Sequence, residues 1–140
     1  MKTKKAGCFL INLDFKKVAL VYRDKKKDYT FPKGHLEENE TLIECAIRET
    51  AEETKRIAKI IDNEPLISTY TTPSGEDCIC YMYIALDCGK SDNDSLDTHD
   101  VYWINIDEVE NVLSYESLIQ DWKKIKNKII TIITKSTFNI

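Results

Sequence analysis

The sequence predicts an α/β domain, short strands interspersed with two helical segments, and three observations carry that expectation. Two short runs rich in β-branched and aromatic residues open the chain around a polar turn. An amphipathic stretch free of proline and glycine follows residue 41, and a second block of β-rich runs then leads into a long segment with helix-like apolar spacing. At 140 residues, 42% apolar and 31% charged, the chain has the size and composition of one globular domain, read as 1–140.

Each element has its own signal. Residues 6–13 (AGCFLINL) and 17–22 (KVALVY) read as strands around the turn 14–16, and the charge run 23–28 (RDKKKD) reads as a solvated loop. Residues 29–34 form a short extended piece broken by Pro32 and Gly34, and 35–40 a loop. Thr41 then caps a helix to about residue 55, with Glu44 three residues on and Leu42, Cys45 and Ala46 on its apolar face. Residues 57–61 and 65–70 are strand material around the turn 62–64. A hairpin of 68–72 and 78–86 follows, turning through Pro73, Ser74, Gly75 and Glu76. The polar stretch 89–100 reads as a loop before a strand at 101–106. Asp107 is placed to cap the next helix, with helical spacing over 108–113 and from 115 to about 133.

Composition excludes several function classes. The 20 basic and 24 acidic residues intermix, with a net charge of −4, so no extended nucleic-acid surface is indicated. The five cysteines form no CxxC pair and only two histidines accompany them, which favours buried free thiols over a zinc site or a disulfide framework. The apolar run after Lys5 ends at Asp14 without a small-residue cleavage site, so it reads as a first strand rather than an export signal. No apolar run approaches the roughly 20 residues that cross a bilayer. Together these place the protein in the cytoplasm, away from membranes.

The segment ECAIRETAEE concentrates acids beyond what amphipathicity requires. Glu49, Glu52 and Glu53 stand at i, i+3 and i+4, on one side of a helix within one turn. Like charges so placed repel, and a hard divalent cation relieves them: Mg²⁺ is held by one or two carboxylates while phosphates and water complete its shell. By itself a glutamate-rich turn is more often a solvated face. The upstream spacing changes that: Gly34, five residues, Glu40, seven residues, then Arg48-Glu49 and Glu52-Glu53.

This spacing resembles the Nudix box at six defined positions. Three later positions depart from it: Thr50 and Arg56 stand where aliphatic residues are usual, and Lys55 replaces a helix-ending glycine. Because a lysine enters the left-handed conformation only against steric resistance, the helix is expected to end differently. The resemblance implies a Nudix-type α/β/α sandwich with a central mixed β-sheet, and hydrolysis of a nucleoside diphosphate linked to another group. It further implies Glu52 and Glu53 as principal metal ligands, Glu49 as a ligand or base, the Gly34 carbonyl as a further ligand, and Arg48 and Glu40 as orienting residues. Mg²⁺ is the implied cofactor, with Mn²⁺ as the alternative, and an additional acid is expected from Asp97, with Asp100 as the other candidate.

The segment Phe31-Pro32-Lys33-Gly34-His35-Leu36-Glu37 resembles the asymmetric diadenosine tetraphosphate hydrolases within that family. It implies a nucleotide or polyphosphate substrate, with Lys33 at a phosphate and His35 at a phosphate or assisting proton transfer; an adenine base needs a π-surface, for which Tyr115, Tyr83 and Tyr70 are the candidates. For Tyr83 and Tyr70 the core reading outweighs stacking, and for Tyr115 the two balance. Alternative substrates are an RNA 5′-pyrophosphate, a diphosphoinositol phosphate or a nucleoside triphosphate, and a catalytically weak nucleotide-binding regulatory module is the alternative from another class.

Overall fold

The computed structural model describes residues 2–93 and 99–138. Its centre is a mixed sheet ordered β3-β2-β1-β7-β5, with β4 also on β1, β6 on β7 and β8 on β2. The strands are β1 (Thr3–Asn12), β2 (Lys17–Arg23), β3 (Asp28–Thr30), β4 (Lys33–His35), β5 (Arg56–Ile60), β6 (Leu66–Thr71), β7 (Asp77–Lys90) and β8 (Asp100–Asn105). The helices are α1 (Leu42–Thr54), the short α2 (Val109–Val112) and the long α3 (Glu116–Phe138).

Strand β1 runs parallel to β7 from Thr3 opposite Cys78 to Ile11 opposite Leu86, and both its faces are covered. Ala6, Cys8 and Leu10 face a layer closed by Cys45 and Ala46 of α1. Phe9 and Ile11 face the opposite layer, with Trp122, Ile125 and Ile129 of α3 and Val109 of α2. The period-two alternation of one strand thus feeds two cores, which makes the α/β/α sandwich.

The ends of β1 and β2 separate where the site forms. Ile11 and Asn12 pair with β2, but Lys5, Ala6 and Gly7 pair with β4, while Val21 to Arg23 of β2 turn to β3. Phe31 fills the split, edge-on to Phe9 with ring centroids 4.9 Å apart. Gly7 permits the passage, since a Cβ there would lie 2.1 Å from the Pro32 carbonyl oxygen.

Strands β5 and β6, consecutive in sequence, both line the same edge of the 14-residue β7, which is long enough to pair with β6 near its start and β5 near its end. Several expectations need correction. His35 belongs to β4 rather than to a loop, and β7 extends through Lys90. Asp107 caps nothing: it lies inside a 3₁₀ turn over Ile106–Glu108, whose N-cap is Asn105. Cys88 is exposed, although the other four thiols are buried as expected. The charge run 23–28 is not wholly solvated, because Arg23 and Asp28 pair across β2 and β3 through two hydrogen bonds of 2.7 and 2.6 Å.

Candidate active site

Helix α1 starts where the sequence places it. Thr41 accepts from the Glu44 N–H at 3.1 Å and Glu44 accepts from the Thr41 N–H at 2.9 Å, a reciprocal cap that stabilises a helix start by about 1 kcal/mol. Its far end overturns the expectation. Lys55 adopts φ 60, ψ 30 and donates its N–H to Ala51, so the helix closes in the left-handed conformation a glycine would take. Thr50, in the place of an aliphatic residue, is fully buried, and its hydroxyl has no close hydrogen-bond partner among the described residues.

Strand β4 brings Gly34 against α1. A Cβ at Gly34 would stand 2.0 Å from Glu49 Oε2, so the absence of a side chain is what lets this carboxylate lie on the strand. The Gly34 carbonyl also accepts from the Cys45 thiol at 3.7 Å. Burial pushes that thiol up to about 12.

Arg48 is the hub. Its guanidinium bonds Glu40 through Nε (2.6 Å) and Nη2 (3.0 Å), Glu49 through Nη1 (2.6 Å), Glu52 through the same Nη1 (3.1 Å) and the His35 carbonyl through Nη2 (2.9 Å). These charged bonds raise its pKa still further, the pair with Glu40 first, and hold the Glu40 carboxyl down at about 2. Glu40 is thereby fixed as an ionised brace between loop and helix, and it accepts the Glu37 N–H as well.

Glu53 differs from its neighbours. One carboxylate oxygen accepts the Lys33 backbone N–H at 3.0 Å, and the side chain is largely buried. Burial, together with the charge of Glu49, pushes its pKa up to about 8, against the Lys33 N–H bond. One guanidinium thus faces Glu40, Glu49 and Glu52, while burial favours the neutral form of Glu53.

Such a donor set fits a hard divalent cation, being all oxygen and rich in carboxylates. Among the described residues no three acidic, imidazole or thiol groups already form a closed shell, since Arg48 holds Glu49 and Glu52 on its own nitrogen.

The other expected residues divide. The Lys33 ammonium lies over the Tyr70 ring at 4.8 Å, with Lys5 at 5.6 Å, and burial lowers the Lys33 pKa. His35 is exposed and points at Glu76, 3.9 Å away, rather than at the carboxylates. Tyr83 is buried in the layer under α1, so its ring face is taken up by the core. Tyr115 keeps an exposed ring, 42% accessible, while its hydroxyl donates to Asp28. That bond raises the Tyr115 pKa, and burial, outweighed by the Arg23 and Tyr115 hydrogen bonds, leaves the Asp28 pKa lowered. Asp97 lies outside the described residues, and Asp100 is exposed at the start of β8.

Sequence reasoning missed three participants. Arg23 was absorbed into a charge run, yet its charge bears on Glu53. Asp121 of α3, whose carboxyl is raised by burial, feels the charge of Lys33. His99 meets Glu53 from the segment before β8, and only its nearness to the expected additional acid pointed there. Two surface grooves of about 500 and 370 Å³ flank Phe15, and neither is lined by a residue of the carboxylate cluster.

Residues 1–130 match the family described as NUDIX domain. Among solved structures, the chain is similar to a C. elegans Ap4A hydrolase binary complex (TM-score 0.75, 20% identity, covering 92% of this chain and 98% of that one). A NUDIX-family hydrolase from Clostridium perfringens (TM-score 0.73, 16% identity, 92% and 99% covered) and a NUDIX hydrolase from Nitrosomonas europaea (TM-score 0.71, 22% identity, 88% and 87% covered) are similar too. At these identities the structural likenesses show a shared fold.

Proposed function

This chain belongs to the NUDIX family and is a pyrophosphohydrolase, and we propose that it cleaves, with Mg²⁺, a phosphoanhydride bond of a dinucleoside polyphosphate such as diadenosine tetraphosphate. The observation that carries the metal-dependent part is the carboxylate cluster at Gly34, which has more negative charge than Arg48 can balance. Glu49, Glu52, Glu53 and the Gly34 carbonyl are the residues that would hold the ion. A bound divalent cation supplies Lewis-acid charge to the phosphates and acidifies the attacking water.

The chain's own groups do the rest. Arg48 and Glu40 orient the carboxylates, and Glu49 is the candidate base once Glu53 is engaged. Lys33 and His35 are assigned to the polyphosphate and the exposed ring of Tyr115 to a base, which leaves Tyr83 to the core. Asp97 remains the proposed additional acid on sequence position. We read residues 1–140 as one such domain and the cytoplasm as its compartment, a reading supported by five free cysteines. No helix among the described residues is long and apolar enough to cross a membrane.

A substrate screen decides the finer assignment. Purified protein with Mg²⁺ is incubated with diadenosine tetraphosphate, 5′-triphosphorylated RNA, a diphosphoinositol phosphate and nucleoside triphosphates, and products are resolved by phosphorus NMR. Diadenosine tetraphosphate is expected to give the highest kcat/KM and two nucleotide products. Preferential cleavage of another compound overturns the substrate while leaving the reaction class.

A further inference from the structure

We infer that His99 is a positioning residue for Glu53, holding the helix end and its carboxylate in the geometry that receives a divalent cation; this rests on the reading of Glu53 as a metal ligand.

The inference starts from an accounting of backbone groups. A helix leaves its last carbonyls without partners, and in α1 these fall on the residues that carry the site. Two of them are satisfied from far along the chain. The Glu53 carbonyl accepts the His99 N–H at 3.1 Å, and the Lys55 carbonyl accepts the Ser91 N–H at 2.9 Å. Lys55 adds a side-chain bond, its ammonium donating to the Asn93 carbonyl at 2.5 Å. The lysine that replaces the helix-ending glycine thus does more than tolerate the left-handed conformation: its side chain binds the segment after β7 to the end of α1.

His99 then meets Glu53 twice. Besides the backbone bond, its Nε2 stands 3.7 Å from Glu53 Oε2, while Glu53 Oε1 is held by the Lys33 N–H. One oxygen is oriented by strand β4 and the other faces an imidazole. A carboxylate bracketed from both sides loses little side-chain freedom on taking up a cation, and removing such an outer partner typically weakens metal binding about 10- to 100-fold. His99 acts through Glu53 and is not assigned a role on the phosphates.

The test compares His99→Ala, His99→Gln and Glu53→Gln with the wild type. Free Mn²⁺ is titrated without nucleotide by electron paramagnetic resonance, and kcat and KM are measured at saturating metal. His99→Ala is expected to weaken Mn²⁺ binding about 10- to 100-fold and leave the nucleotide KM unchanged. The metal-free melting temperature should stay the same, because any residue at this position retains the backbone N–H. His99→Gln, with an amide N–H near the Nε2 position, should recover most of the lost affinity. Wild-type Mn²⁺ affinity in His99→Ala beside a collapse in Glu53→Gln overturns the role of His99 alone. Equal losses in the Ala and Gln variants with a lowered melting temperature also overturn it. Unchanged Mn²⁺ affinity in Glu53→Gln overturns both this role and the reading beneath it.

Discussion

Two arginines flank the end of α1, and their surroundings differ in one respect that separates structure from site. Arg56 meets Asp87 across β5 and β7 through two bonds of 2.9 and 2.8 Å, one charge against one, with the carboxylate otherwise buried. Arg48 meets Glu40, Glu49 and Glu52 at 2.6 to 3.1 Å and has Glu37 at 3.6 Å. The Arg56 pair is electrically complete and needs nothing further. The Arg48 guanidinium is shared among several carboxylates, more than one charge can balance by itself. A count of charges around each guanidinium therefore distinguishes a fold-holding pair from a centre built to take a ligand.

The contrast predicts opposite phenotypes. Replacing a cluster acid, Glu52→Gln, should lower turnover by at least about 10²-fold, the scale seen when one electrostatic contributor to a transition state is removed. Its melting temperature should hold or rise, since one of several repelling carboxylates is gone; steady-state assays with thermal melts check both. A loss below tenfold at unchanged stability would place Glu52 among the merely structural acids.

Breaking the complete pair should do the reverse. Arg56→Met leaves Asp87 buried without its cation and should cost about 2 kcal/mol, less than a fully buried pair because Arg56 is one-third exposed. Turnover per folded molecule should be unchanged. Urea denaturation and active-site-normalised assays test this, and a turnover defect would erase the distinction.

The contrast also reaches the pH dependence of stability. Glu53 has a folded pKa of about 8 against an ordinary 4.5, so the folded state binds the extra proton between these values. The metal-free protein should therefore lose stability as pH rises from about 4.5 towards about 8. Mg²⁺ or Mn²⁺ should flatten that slope by favouring the carboxylate. Glu40 has the opposite sign: held at about 2, it contributes stability above its ordinary 4.5 that is lost as pH falls towards about 2. Melting temperatures with and without metal, in the wild type and in Glu53→Gln and Glu40→Gln, separate the two limbs. A metal-free melting temperature that does not fall between about pH 5 and about pH 8 contradicts the assigned burial of Glu53.

Much of the fold was legible because local rules and packing agree. The Thr41 and Glu44 cap, the turn between β1 and β2, and the alternation of Ala6, Cys8 and Leu10 with Phe9 and Ile11 are all short-range patterns. The partner of β5 and β6 was not legible, because sequence proximity says nothing about edges. The long β7 offered one edge to both, and nothing in either strand announces that. Tyr83 and Tyr115 are equally aromatic in the sequence, and only burial in one case and an exposed ring in the other separates them.

Sequence by itself determined the six-position spacing from Gly34 to Glu53 and the placing of Glu49, Glu52 and Glu53 on one helix side, because helical periodicity converts spacing directly into direction. Tertiary structure alone decided which acid is buried, that Arg48 shares one nitrogen between Glu49 and Glu52, and that His99 reaches Glu53 from 46 positions away. The physical reason is that desolvation and charge balance depend on every chain segment converging at a point, whereas periodicity depends only on the neighbours along the chain.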